Sequence, residues 1–168
     1  MPGRLGLLLA GLWLAARLAG AAGPAAASHP PREAARSGAN CAPLPPPAGP
    51  TVTVSTTAQL QAAVSNLTSN TTILIADGDN DLTNTLNLRA VENVTLRGQS
   101  GDREAVVLRG RGMSNANFGN VPHVLAIYDA DDVTVADLTL RDAYYHLIQV
   151  HGEAGPQRPR FYNLRLVD

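Results

Sequence analysis

Lysine is missing from this chain: all thirteen basic residues are arginine. That removes Schiff-base chemistry and any lysine general base. Cysteine is almost missing too. A single one, Cys41, cannot form an internal disulfide. Ser65, Ser69, Ser100 and Ser114 lie in no nucleophile elbow. No glycine loop leads from a strand into a helix to cradle a phosphate, and no paired Cys/His spacing suits zinc. These absences argue against serine hydrolases, nucleotide enzymes and zinc modules. From residue 51 onward nine arginines stand against thirteen acidic residues, a net charge of −4, with no basic stripe. That balance argues against nucleic acid as a partner.

Long apolar runs are also absent. The longest, Leu5 to Ala16, holds twelve residues between Arg4 and Arg17, against the roughly 20 a membrane-spanning helix needs. Ala19-Gly20-Ala21 and Ala25-Ala26-Ala27 follow it, and both fit a cleavage site. Residues 1–27 therefore read as a secretory signal peptide, with the mature chain exported to the medium or cell envelope and not held in a membrane. Residues 28–50 carry Pro30, Pro31, Pro43, Pro45, Pro46, Pro47 and Pro50, the composition of an extended, disordered linker. Cys41 lies in it. Ser37-Gly38-Ala39-Asn40 lacks the leucine of a lipobox and puts Asn before the cysteine, so lipidation is not expected.

What is present begins near Thr51. Thr51-Val52-Thr53-Val54 alternates like a strand. Thr56 or Thr57 can cap a helix running to about Asn66, with Leu60, Ala63, Val64 and Leu67 on one face. Asn66, Asn70 and Asn93 each open a glycosylation sequon. Between residues 123 and 151 the chain returns to its start: His123-Val124-Leu125-Ala126-Ile127-Tyr128 recurs as His146-Leu147-Ile148-Gln149-Val150-His151. Two further short strands, Val133-Thr134-Val135 and Leu138-Thr139-Leu140, lie between. A unit of three strands that recurs in this way is one coil of a solenoid.

Three strand sets follow. The first holds Leu86-Leu88, Leu125-Ile127 and Ile148-Val150. The second holds Val94-Leu96, Val133-Val135 and Arg160-Tyr162. The third holds Ile73-Ile75, Val106-Leu108, Leu138-Leu140 and Leu164-Leu166. Apolar residues alternate in each, so Leu125, Ile127, Val133, Val135, Leu138, Leu140, Ile148 and Val150 should be buried together, with Thr134, Thr139 and Gln149 outward. The bend between second and third sets shrinks to Ala136-Asp137 and then to Asn163, where an Asx residue tolerates a left-handed backbone. Stacked Asx residues there would form a ladder.

With the helix over 57–66, Thr72-Ile73-Leu74-Ile75-Ala76-Asp77-Gly78, Asn93-Val94-Thr95-Leu96-Arg97-Gly98 and the 132–142 segment, the chain resembles the start of a right-handed parallel β-helix of the pectate-lyase-like superfamily. The resemblance covers residues 51–168. It implies an all-β solenoid of about three coils with an N-terminal capping helix, which further coils beyond Asp168 are expected to complete. One position departs: where relatives often carry an aromatic three residues after the Asp-Gly turn begins, this chain has Asn80. The fold carries lyases, hydrolases, epimerases and inert fibres, so it does not by itself name an activity.

In that family, carbohydrate lies along the outer face of the first sheet and its flanking loops. Here the resemblance points to Tyr128 and Gln149, and to the flanking loops that supply Arg111, Asn115, Asn117, Tyr144 and Tyr145 as substrate-binding groups. His151, His146 and Arg141 are the catalytic candidates: imidazoles to move a proton, and a guanidinium to hold a uronate carboxylate. Against this, His123 and His146 occupy one position of successive coils and would stack as structural residues. Asp129, Asp131 and Asp132 form an oxygen-rich turn that can hold calcium, no other cofactor being required; the competing role for Asp132 is turn formation, since it matches Asn93. Two functions stand side by side. One is an exported enzyme acting on polysaccharide, of lyase, hydrolase or epimerase type, with acidic glycan favoured. The other is a non-catalytic surface, adhesion or carbohydrate-binding module.

Overall fold

A computed structural model describes residues 42–168, which belong to one compact unit. The expected leader, Cys41 and the linker up to it lie outside the described residues. In chain order the elements are β1 (Thr51–Val54), α1 (Thr57–Ser65), β2 (Thr72–Ile75), β3 (Gly78–Asp81), β4 (Leu86–Arg89), β5 (Thr95–Gly98), β6 (Val106–Arg109), β7 (His123–Tyr128), β8 (Thr134–Arg141), β9 (His146–Val150) and β10 (Arg160–Val167). Every strand pair is parallel. A three-stranded sheet runs β4-β7-β9, and a seven-stranded one joins the rest. This mostly parallel strand architecture is compatible with a β-solenoid. Among the described residues, no helix is long and apolar enough to cross a membrane.

The first strand set pairs as its pattern requires: Leu86 with Leu125 with Ile148, and Leu88 with Ile127 with Val150. Two expectations need correction. Ile73-Ile75 does not belong to the third set. β2 pairs β5, Thr72 opposite Thr95, so it lies with the second set. The third set begins instead with β3, which pairs β6. Its sequence Gly78-Asp79-Asn80-Asp81 has no apolar residue to betray it; only Asn80 turns inward, and it is 5% exposed. Second, Val133-Val135 and Leu138-Leu140 are not separate strands. β8 runs through both, pairing β5 with its first half and β6 with its second, while β10 lies along its whole length.

The bends hold because Asx residues stack in them. Asp137 and Asn163 both have a left-handed φ, 55° and 46°, and Asn163 Nδ2 donates to Asp137 Oδ1 at 2.9 Å. At the corner before the second set, Asn70, Asn93, Asp132 and Arg158 are left-handed in successive layers. There Asn93 Nδ2 donates to Asn70 Oδ1 at 2.9 Å, and Arg158 Nη2 donates to Asp132 Oδ2 at 2.7 Å. Short polar side chains tolerate this backbone because they bond locally. Gly98 serves the same packing differently: a Cβ there would meet the Asp137 carbonyl oxygen at 2.1 Å.

Inside lies one apolar cluster, with Leu125, Ile127, Val133, Val135, Leu138 and Leu140 all fully buried. Ile148 and Val150 are only half-buried, because β9 is the last strand of its sheet among the described residues. Thr134 and Thr139 point away from this cluster, yet are 9% and 4% exposed. Each is covered from outside. Thr139 Oγ1 donates to the Arg103 carbonyl at 2.8 Å. Thr134 faces a groove of about 430 Å³ walled by Leu44 to Pro50. That segment has no regular structure but is tied to the strands. Thr72 N donates to Pro50 O at 2.9 Å, Arg97 Nη1 donates to Pro45 O at 3.0 Å, and Tyr162 Oη donates to Ala42 O.

The helix α1 starts where expected: the Thr56 hydroxyl accepts from Gln59 N at 3.2 Å, a side-chain N-cap. Its Leu60 and Val64 enter the core cluster, and Ala63 and Leu67 pack against it. The close layer contact at Gly98 yields a test. Gly98→Ala must push apart β5 and β8, costing about 1–3 kcal/mol by overpacking. Gly101→Ala meets no atom within 4 Å and has only its left-handed φ of 77° to overcome, about 1 kcal/mol. Urea unfolding of both variants should rank them in that order; equal midpoints would contradict the contact.

Candidate functional site

Alternation along β7 sends Leu125 and Ile127 inward and Ala126 outward, in register with Asn87 and Gln149. Ala126 is fully buried yet stands outside the core cluster, so it is covered from the outer side. A methyl group is all the strand presents there. The His123 ring, at the start of β7, lies 6.2 Å from that of His151, which follows β9.

Around this point the chain gathers aromatic rings. His123 stacks on His146 at 5.2 Å with planes 19° apart, as their equivalent positions on β7 and β9 demand. Tyr128 stacks on His151 at 3.8 Å and 15°. Tyr145 lies 6.0 Å from His123, with Phe118 5.2 Å from Tyr145 and Tyr144 4.7 Å from Phe118. Arg89, opposite Tyr128 in the sheet, places its guanidinium carbon 5.8 Å from that ring's centre, a cation–π contact. Tyr145 and Phe118 remain exposed, 53% and 37%.

Phe118 reaches the cluster through an unusual turn. Over Ala116–Asn120, residues Asn117, Phe118, Gly119 and Asn120 all adopt left-handed φ. A bulky residue rarely does so, and such conformations persist where the surroundings enforce them. Here Gly119 packs on the Arg111 side chain, where a Cβ would come within 2.6 Å of Arg111 Cβ. Asn115 Nδ2 closes the loop onto Arg111 O.

Among the expected substrate-binding residues, Tyr128, Tyr144 and Tyr145 join this cluster and Gln149 lies on the same sheet face. Arg111 does not extend into the face: its Nε donates to the Leu82 carbonyl at 2.9 Å, and it holds its own loop instead. Asn115 serves the loop, and Asn117 is exposed on its turn. Among the catalytic candidates, His151 turns outward and meets Tyr128. Its Nδ1 lies 2.9 Å from Glu153 Oε1, and its Nε2 is buried without a partner. His146 is exposed in the stack with His123. Arg141 is not brought to them. Its Nε binds Asp142 at 2.9 Å, beside an Arg109 that reaches Asp79, Asp81 and Asp142. The guanidinium expected to hold a carboxylate beside His151 is thus committed to the outer face of the β6 and β8 strands.

The carboxylates of Asp129, Asp131 and Asp132 do not converge either. Asp132 accepts from Arg158 and Arg160, and the Arg158 hydrogen bond holds its acid below the ordinary range. Asp131 accepts from Gln157 N at 2.8 Å. Asp129 and Asp131 line a separate cleft with Glu92 and Ser69. Among the described residues, no group of three or more His, Cys, Asp or Glu is arranged to hold a metal ion. The arginines following Gly155 occupy the Asp132 carboxylate.

Sequence reasoning missed Glu153 and Arg89. The first stands two residues after His151. The second was readable from the pairing of Leu88 with Ile127, which sets Arg89 beside Tyr128. No protein-family model, curated protein or solved structure matches the chain.

His123 carries a pH signature. Burial, then the neighbouring His146 and His151, push its pKa below the ordinary 6.5. A histidine with a depressed folded pKa favours its neutral form, so the unfolded chain binds the proton more readily. Its stabilising contribution is complete above pH 6.5 and is lost as pH falls from there through the folded value. Thermal melts should therefore show Tm falling on acidification below that point, and His123→Gln should flatten the slope. A slope unchanged in the variant would assign it elsewhere.

Proposed function

We propose that this chain contributes the first coils of a right-handed parallel β-helix, with α1 capping its first coil, and that the outer face of the β4-β7-β9 sheet binds polysaccharide. The observation carrying the reading is the run of seven rings from Tyr144 through Phe118, Tyr145, His146, His123 and His151 to Tyr128. Consecutive rings in it lie 3.8 to 6.4 Å apart. Sugar rings present apolar C–H faces that stack on aromatic planes, and Asn87 and Gln149 flank the run with groups that bond hydroxyls. Export of the mature chain fits such a ligand and rests on the leader-like character of the stretch from Met1 to Ala27.

A catalytic reading has one observation in its favour. A carboxylate on His151 Nδ1 fixes the tautomer that leaves Nε2 as a base. The arginine expected beside it, Arg141, binds Asp142 instead, while the aromatic run gives a binding role seven rings, so binding is the better supported of the two.

The test is affinity electrophoresis of the full chain against a panel of acidic and neutral polysaccharides. At least one should retard it. Tyr145→Ala and Phe118→Ala should each weaken binding by about tenfold, the worth of one stacking contact, with unfolding midpoints little changed because both rings are exposed. Unsaturated product absorbing in the ultraviolet, lost in His151→Ala, would favour the enzyme instead. Parental retention in both ring variants would contradict the aromatic face.

A further inference from the structure

We infer that His123, His146 and His151 form a proton-dependent acceptor for the carboxylate or sulfate groups of an acidic ligand, closed at neutral pH and opened by mild acidification. The inference builds on the carbohydrate reading above and names the ligand chemistry and its control.

The geometry supplies three imidazoles in contact. His146 lies 5.2 Å and His151 6.2 Å from His123, on a face that also holds aromatic rings. Two of their ring nitrogens, His123 Nδ1 and His151 Nε2, are buried and have no partner. Such nitrogens are unfilled hydrogen-bonding capacity, and each becomes a donor when its ring is protonated.

Permanent charge around them is close to cancelled. From β4 comes Arg89, over Tyr128. From the turn at Gly152–Ala154 comes Glu153, bonded to His151. The phenols facing them are Tyr128 at the end of β7 and Tyr144 and Tyr145 ahead of β9. The other candidates are engaged elsewhere: Arg111 with Leu82 O, Arg141 with Asp142, and Asp129 in the cleft with Glu92 and Asp131. With neutral imidazoles, the face offers a carboxylate no uncommitted cation beyond Arg89. With charged ones it gains up to three positive charges within a few ångströms, and the spare nitrogens gain hydrogens to donate.

Proton and anion then assist each other. Imidazolium rings this close repel one another. Burial first, and then this repulsion, lowers the proton affinity of His123. An anion between the rings offsets the repulsion. Linkage requires the reciprocal effect, in which protonation strengthens anion binding by the same factor that the anion strengthens protonation.

The experiment uses the full chain and two kinds of probe. First, the histidine ring resonances are followed by NMR while sodium sulfate replaces sodium chloride at constant ionic strength, at about pH 5.5 and about pH 7.5, either side of the imidazole range. Sulfate should move the His123 and His146 signals at the lower pH and leave them in place at the higher. Second, titration calorimetry measures a polyuronate and a neutral polysaccharide at both pH values. The polyuronate should bind about tenfold more tightly at the lower pH, one unit of proton linkage, and the neutral polymer should not change. In the double variant His123→Gln, His146→Gln the polyuronate ratio should fall toward one.

Silence of the ring signals toward sulfate at the lower pH overturns the inference. So does a polyuronate affinity independent of pH, or a chain already unfolded there by circular dichroism. If the polymers bind equally at both pH values and sulfate is silent, the carbohydrate reading survives and the acceptor fails. If sulfate responds at low pH only and no polymer binds, the acceptor stands and the carbohydrate reading fails.

Discussion

Every layer of this chain depends on the stacking of short polar side chains at left-handed bends. Parallel strands satisfy their backbone groups only from neighbouring strands, so each layer must turn at the same places as the one beside it. Asn70, Asn93 and Asp132 mark one such corner, and Asp137 and Asn163 another. At each, an Asx side chain both tolerates the backbone and bonds to the next layer. The Asp137 corner is the most constrained. Its carboxylate is 3% exposed, pairs with Arg97 at 3.0 Å and accepts from Asn163 at 2.9 Å, while Gly98 leaves room for its carbonyl. Removing one partner of so buried a pair leaves an uncompensated charge, which is far more damaging than the pair is stabilising.

The same stacking explains why chemistry collects on one face. A strand repeats its side chains outward at alternate positions, and parallel register sets equivalent positions of successive strands side by side. His123 meets His146, and Tyr128 meets His151, because both pairs hold equivalent positions in neighbouring layers. Between β6 and β7 the loop from Gly110 to Pro122 lengthens the layer, which is why Leu86 pairs with the distant Leu125 while Leu125 pairs with the nearer Ile148. That loop folds back and adds Phe118, so a regular ladder becomes an aromatic patch with an irregular rim.

The outer face of the second strand set is built differently. Thr72, Thr95 and Thr134 stand opposite one another and are walled by the proline-rich segment, whose carbonyls accept from Thr72 N and Arg97. Proline cannot donate to a strand, but its carbonyls still accept. Composition alone makes residues 42–50 look like free linker; in the fold they lie against the strands.

Alternation of apolar residues was enough to find β4, β7 and β9 and the inward set of β8, since a strand buried on one face must repeat every second residue. The recurrence of His-apolar-apolar was enough to pair His123 with His146 and Tyr128 with His151. The Asx residues at positions 137 and 163 announced their bend through chemistry that is local. β3 was illegible, because Asp79, Asn80 and Asp81 have no apolar alternation and become a strand only by pairing with β6. The partners of the arginines were illegible as well. A guanidinium on a long flexible stem reaches any acceptor within several ångströms, and which one it finds depends on side chains far away in the chain. Arg141 could serve a carboxylate beside His151 or Asp142, and Arg111 a ligand or Leu82 O. Only packing in three dimensions chose the second of each, because only there are the distances set.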